Sequence, residues 1–179
     1  MEGDSLRSVI DTNVLVQFLR DEDPVELRDP ESNALVTRAS DRAAALVKRI
    51  EDLSGRIIIP APVLAEYLVG IERNSYQAQI EILGSYECIE IISFDEIAAI
   101  ECALLVDEHE HKLLDPTATK AKIRVDRQII ATALATNAHE LWTHDRGLFK
   151  KVSSSTNIIA KSLSQIEPEP NQYGLDLAN

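Results

Sequence analysis

Cysteine is scarce in this chain of 179 residues, which has only Cys88 and Cys102. Two are too few for a disulfide framework and are not spaced as a zinc knuckle, so both read as reduced thiols of a cytoplasmic protein. Glycine is also scarce, at six. None falls in Gly-x-Gly-x-x-Gly or Gly-x-x-x-x-Gly-Lys-Ser/Thr, which argues against a dinucleotide turn and a phosphate loop. No apolar run approaches the roughly 18 residues that span a bilayer. Met1-Glu2-Gly3-Asp4 lacks the basic and apolar parts of a secretory leader, so neither membrane nor export is expected. Positive charge is short too: 18 Lys and Arg face 30 Asp and Glu, for a net of −12.

A uniformly negative surface would repel nucleic acid, but this deficit is uneven. Asp21 to Asp41 nets −5 and Glu167 to Asn179 nets −3, which leaves −4 for the rest. What is present is a globular composition, 45% hydrophobic with seven prolines. The length suits one domain with a real core. We read it as residues 1–166, with an acidic insertion at about 21–39 and a loose tail at 167–179.

Ser8-Val9-Ile10 predicts a buried strand, Asp11-Thr12-Asn13 a polar turn, and Val14, Leu15, Phe18 and Leu19 a helix. Pro24 and Pro30 among acids make Asp21 to Ala39 a solvated loop or insertion. Ser40 is placed as the cap of a helix through Ala43, Leu46, Val47, Ile50 and Leu53, and Gly55 as its stop. Arg56 to Pro60 is the second strand. Val63, Leu64, Tyr67, Leu68 and Ile71 form the next helical stripe. A helix from about Ser75 to Leu83 precedes strand Ile89 to Ile92, and Ser93 with Glu96 forms a capping box for a helix from about Asp95 to Glu110. Leu113 to Ala121 is a loop around Pro116, and Asp126 opens another helix. Strands follow at Glu140 to Thr143 and at Asn157 to Ala160. Strands alternating with helices predict an α/β fold with a mainly parallel sheet.

In such a sheet the helices return antiparallel, so their N-termini share an edge with the carboxyl ends of the strands. That edge collects Asp11, Glu66, Asp126 and Asp145. Each acid also has a plain explanation: Asp11 as a helix cap, Glu66 as a surface charge, Asp126 as a complement to the helix dipole, and Asp145 as a turn residue. None of these requires all four on one rim. Gathered carboxylates repel unless a cation is present, and hard oxygens without His or Cys suit Mg²⁺ or Mn²⁺ over zinc. One or two such ions would activate water and hold a phosphodiester in line. Arg146, Lys150 and Lys151 beside Asp145 give a local +2, either a phosphate-binding patch or a solvated face, and Lys122 and Arg124 carry the same two readings.

Val9-Ile10-Asp11-Thr12-Asn13, Pro62-Val63-Leu64-Ala65-Glu66, Asp126 to Ala133, and Trp142-Thr143-His144-Asp145 stand in this order along the chain. Together they resemble the PIN-domain family of metal-dependent ribonucleases, in particular the VapC-type toxins of toxin–antitoxin pairs. The likeness runs from about Ser8 to Ile166. It implies a three-layer α/β/α fold, an acidic Mg²⁺ or Mn²⁺ pocket and hydrolysis of RNA. It also implies a homodimer and, on the toxin side, an antitoxin partner. By motif position Asp11, Glu66, Asp126 and Asp145 correspond to the family's acids. Asp11 and Asp126 are expected as direct ligands, Glu66 as a ligand or water activator, and Asp145 as acting directly or through water. Thr12, Asn13 and Thr143 orient the site or cap helices.

Two other readings stand beside this one: a non-catalytic PIN-like RNA-binding or assembly module, and a Mg²⁺-dependent phosphatase. No predicted strand ends in the paired-aspartate motif Asp-x-Asp, which disfavours the phosphatase. His109 and His111 lie two apart on a predicted helix and point away from each other, so they are read, with His139 and His144, as ordinary polar residues. Trp142, inside a strand, is assigned to the core.

Overall fold

The computed structural model describes residues 5–20, 26–106 and 119–168. In chain order the elements begin β1 (Arg7–Ile10), α1 (Thr12–Leu19), β2 (Leu27–Arg28), β3 (Leu35–Val36), α2 (Ala39–Asp52) and β4 (Arg56–Pro60). There follow α3 (Ala61–Val69), a short 3₁₀ turn at Arg73–Ser75, α4 (Tyr76–Gly84), β5 (Ile89–Ile92) and α5 (Glu96–Leu104). The rest are α6 (Lys120–Ala135), β6 (Glu140–Trp142), α7 (Arg146–Ser155), β7 (Ile159–Lys161) and a 3₁₀ turn at Leu163–Gln165.

Five strands form one sheet in the order β5-β4-β1-β6-β7, and every pair in it is parallel. Parallel pairing follows from the alternation, because a helical crossover returns the chain to the end where the previous strand began. Val9, Ile57, Ile59 and Leu141 are wholly buried, as strands covered on both faces must be. The helices flank the sheet in the three-layer α/β/α arrangement, and Trp142 is core as expected.

From β1 the chain steps outward to β4 and β5, then crosses back to β6 and steps the other way to β7. The connections leaving β1 and β6 therefore diverge. A crevice opens where they part, at the carboxyl ends of the strands.

Several expected boundaries move. The segment taken as a solvated loop is in its described part an antiparallel hairpin, β2 with β3, which buries Leu27 and Val36. Two apolar residues placed to reach the core outweigh the acidic composition around them. Ser40 does not cap α2, since Arg38 occupies that position in a left-handed conformation. Ser54, at φ 51°, makes the turn after α2 that was assigned to Gly55. Gly55 is needed for another reason: a Cβ there would lie 2.7 Å from the Leu6 carbonyl oxygen.

Asp95, not Ser93, caps α5, accepting from Ala98 N at 2.9 Å. The helix stops at Leu104, short of the expected Glu110. The last strand sits slightly later than Asn157 to Ala160. His109 to His111, most of the Leu113 to Ala121 loop, residues 21–25 and most of the C-terminal tail lie outside the described residues.

Candidate active site

Asp11 follows β1 directly, and its backbone N–H donates to the Trp142 carbonyl at 3.0 Å, carrying the β1–β6 ladder one residue further. Its side chain caps α1 by accepting from Thr12 N at 2.7 Å, so the plain reading as a helix cap holds. The other carboxylate oxygen accepts from Asn13 Nδ2 at 2.8 Å and from the buried Thr143 hydroxyl at 2.7 Å. Three of about four lone-pair positions are thus used, and the group is held in one orientation. Burial still wins over those bonds. Together with repulsion from Asp145 and Glu66 it lifts the Asp11 carboxyl from 3.8 to about 6.

Asp126 does not open its helix. Thr119 caps α6, and Asp126 lies nearly two turns inside it. It shares the buried stripe with Ile123, Ile129, Ile130 and Ala133, at positions three and four residues apart. A carboxylate among those residues is dehydrated, and Asp145 and Asp11 add repulsion, so its pKa rises from 3.8 to about 8 despite the Lys122 charge.

Asp145 is a helix cap as well as a turn residue: its Oδ1 accepts from Leu148 N at the start of α7, at 2.8 Å. Its backbone N–H donates to the Thr143 hydroxyl at 2.9 Å, so Thr143 ties Asp145 to Asp11. Glu66 stands at the exposed rim on α3 and accepts from the Thr12 hydroxyl. Asp11, Thr12, Asn13, Glu66, Asp126 and Asp145 line a single cleft of about 570 Å³, and Lys122 lines it with them. The Lys122 ammonium pairs with Asp145 Oδ2 at 2.8 Å.

The donor set of this cleft is carboxylate, hydroxyl and amide oxygen with no thiol or imidazole, and its buried acids repel one another. That chemistry fits a hard divalent cation. As the side chains stand, no group of three or more His, Cys, Asp or Glu among the described residues could hold an ion. Asp145 is turned to Lys122 instead.

The basic patch divides. Arg146 is exposed and Lys150 half-exposed, and with Phe149, Pro30 and Glu31 they line a separate groove of about 430 Å³ between α7 and the hairpin turn. Lys151 is a correction: it is 5% exposed, on the inner side of α7, and does not present its charge to a polyanion. The helical period puts residues 146 and 150 on one face and turns 151 inward.

Sequence reasoning missed two residues here. By sequence Lys122, like Arg124, is either part of a phosphate-binding patch or a solvated face, and neither reading puts it against Asp145. It lies four residues before Asp126, so once the helix runs through both they share a face. His144 was read as an ordinary polar residue, yet its ring accepts from Leu163 N at 3.1 Å and lies 3.0 Å from the Arg28 carbonyl. Those two contacts require a neutral ring with its proton on Nδ1. His144 thereby fastens the hairpin and the C-terminal turn to the loop that carries Asp145. Nothing in its sequence context signals this, because both partners are backbone groups distant in the chain.

A PIN domain family model matches residues 30–154, well over half of the chain. The chain belongs to the PIN domain family. Asp11 lies before the matched segment. No curated protein matches. Among solved structures, the chain is similar to VapBC2 from Rickettsia felis bound to a promoter DNA fragment. That match has a TM-score of 0.56 and 22% identity over 88% of this chain and 98% of the other. VapBC-1 of nontypeable Haemophilus influenzae matches with TM-score 0.56 and 14% identity over 89% and 100%. VapC20 of Mycobacterium tuberculosis, described as a sarcin–ricin-loop-cleaving toxin, matches with TM-score 0.51 and 11% identity over 85% and 98%. At these identities the likeness is one of fold.

Proposed function

We propose that this protein is a metal-dependent endoribonuclease of the VapC type, the toxin of a toxin–antitoxin pair. The observation that carries the reading is the gathering of Asp11, Glu66, Asp126 and Asp145, from four separate stretches of chain, in one cleft at the switch point of the sheet. Membership of the PIN domain family supports nuclease chemistry. The VapBC complexes among the similar structures support an antitoxin partner, and the activity named for VapC20 supports RNA as substrate. The homodimer that the family resemblance implies is part of the same proposal.

Asp11, Asp126 and Asp145, with Glu66 at the rim, would hold Mg²⁺ or Mn²⁺. When bound, the ion supplies positive charge to offset the phosphodiester and to make water a better nucleophile. Asn13, Thr12 and Thr143 keep Asp11 in place while charge in the cleft changes. Asp126, whose pKa burial and the neighbouring acids push up to about 8, would hold the cation as its carboxylate, so metal affinity should rise with pH. Glu66, exposed at the rim, would bind the ion or take a proton from attacking water. Arg146 and Lys150 meet the backbone of the RNA strand beside the cleft.

Replacing Asp126 by Asn tests the assignment. Mn²⁺-dependent internal cleavage of RNA is expected to disappear with the fold intact by circular dichroism. Equal cleavage by mutant and parent would reject it. Release of phosphate from monoesters, without internal RNA cuts, would favour a phosphatase.

A further inference from the structure

Lys122 sits in a place its helix does not favour. It is the third residue of α6, in the first turn, where the helix dipole presents positive charge of its own. Its backbone N–H is already bound to the Thr119 hydroxyl cap at 3.2 Å. What holds its ammonium there is the cleft: Asp145 Oδ2 lies 2.8 Å away, and the charge also acts on Asp126, one turn further along the helix.

Both oxygens of Asp145 are engaged in this arrangement. Oδ1 caps α7 through Leu148 N, and Oδ2 is taken by Lys122. A divalent cation that approaches Asp145 meets the Lys122 ammonium at close range, and the two positive charges repel unless one of these contacts lets go. The cap is the costlier to release, because a helix terminus would lose its partner. The ion pair is open to water on both sides, with side-chain exposures of 35% and 24%, and lysine has a long flexible stem that reaches solvent without moving the helix.

We infer that Lys122 is a displaceable internal counter-ion, which competes with a divalent cation for the acidic cleft and has to leave Asp145 when the cation enters. This rests on the reading of the cleft as a metal site. It adds a residue that sets how tightly the metal binds.

The test is titration calorimetry of the full chain with MnCl₂, on the parent, Lys122→Gln and Lys122→Arg, each checked by circular dichroism. Removing the competing charge in Lys122→Gln is expected to tighten Mn²⁺ binding about tenfold, the scale of one partly desolvated charge pair. Lys122→Arg keeps the charge and is expected to stay within about threefold of the parent. Unchanged or weaker binding in Lys122→Gln overturns the inference while leaving the metal site standing. Failure of parent and both variants to bind Mn²⁺ at millimolar concentration overturns the metal reading, and this inference with it.

Discussion

Glu140 opens β6 and Asp11 follows the end of the adjacent β1; they are almost equally sealed from solvent, at 4% and 6% exposure, yet burial has opposite outcomes for them. Glu140, toward the amino end, is surrounded by donors. Ser8 at 2.9 Å, Trp142 Nε1 at 3.0 Å, Lys161 and Arg49 all point at its carboxylate. They outweigh burial and hold its pKa below the usual range. Asp29 in the hairpin turn is satisfied the same way, by Ser32, Ser162 and Ser164, and its pKa is also lowered. At the carboxyl end burial and the neighbouring acids outweigh the three hydrogen bonds to Asp11 and the Lys122 charge near Asp126, and both pKa values rise. The lesson is that burial alone does not mark a functional acid. A buried carboxylate crowded by other acids is held at a cost, and such costs concentrate where a ligand relieves them.

The comparison breaks most sharply on activity. Asp126→Asn is expected to lower RNA cleavage by at least about 10³-fold, the scale for losing a group that stabilises developing charge, while Glu140→Gln keeps cleavage near the parent level. A substantial loss in both, measured on folded protein, would erase the division between the two ends.

Stability should separate them in the other direction. Glu140→Ala strands Lys161 and the Trp142 N–H and is expected to cost about 3 kcal/mol in urea denaturation. Asp126→Asn, measured in EDTA, is expected to leave stability unchanged or raise it. With saturating Mn²⁺ the parent should gain about 2.7 kcal/mol at a hundredfold excess over Kd, and Asp126→Asn should gain less. Identical shifts in the two proteins would show that Asp126 does not hold the ion.

pH sharpens the contrast further. An acid whose folded pKa is raised contributes stability that is whole below its unfolded value and is lost as pH climbs to the folded one. For Asp126 that window runs from 3.8 to about 8. Glu140, with a lowered pKa, behaves oppositely: its contribution is present above its unfolded value and is lost as pH falls through the folded one. Burial also lowers the His144 pKa, so its contribution is whole above the ordinary 6.5 and is lost on acidification. His144 and Asp11, which titrate in the same range, are common to parent and Asp126→Asn, so the difference between the two proteins reports mainly on Asp126. In EDTA the advantage of Asp126→Asn should widen between about pH 5 and about pH 8. Parallel urea midpoints across that range would contradict the raised value.

The smallest effect concerns RNA contact. Arg146→Ala and Lys150→Ala should each weaken RNA binding modestly and lower the salt slope by about one phosphate contact. Lys151→Ala should leave the slope alone and lower stability, because that side chain is buried.

Much of this was legible in the chain itself. Short β-branched runs alternating with helical stripes specify a parallel sheet, because each strand must be buried on both faces and each crossover must return the chain to its start. The polar residues after the first and fourth runs, Asp11 and Asp145, follow as neighbours of the carboxyl edge. What the sequence alone determined, then, is the fold class and the positions of Asp11 and Asp145 just past strand ends, since both depend on local periodicity and the direction of strands. Asp126 reaches the cleft from inside α6, not from a helix start. Tertiary structure alone decided how each charge is met. The donors around Glu140 and Asp29, the ammonium on Asp145, the inward turn of Lys151 and the backbone groups that grip His144 all come from distant parts of the chain. A pKa depends on every charge and dipole within several ångströms of the group, and that neighbourhood exists only once the chain has folded.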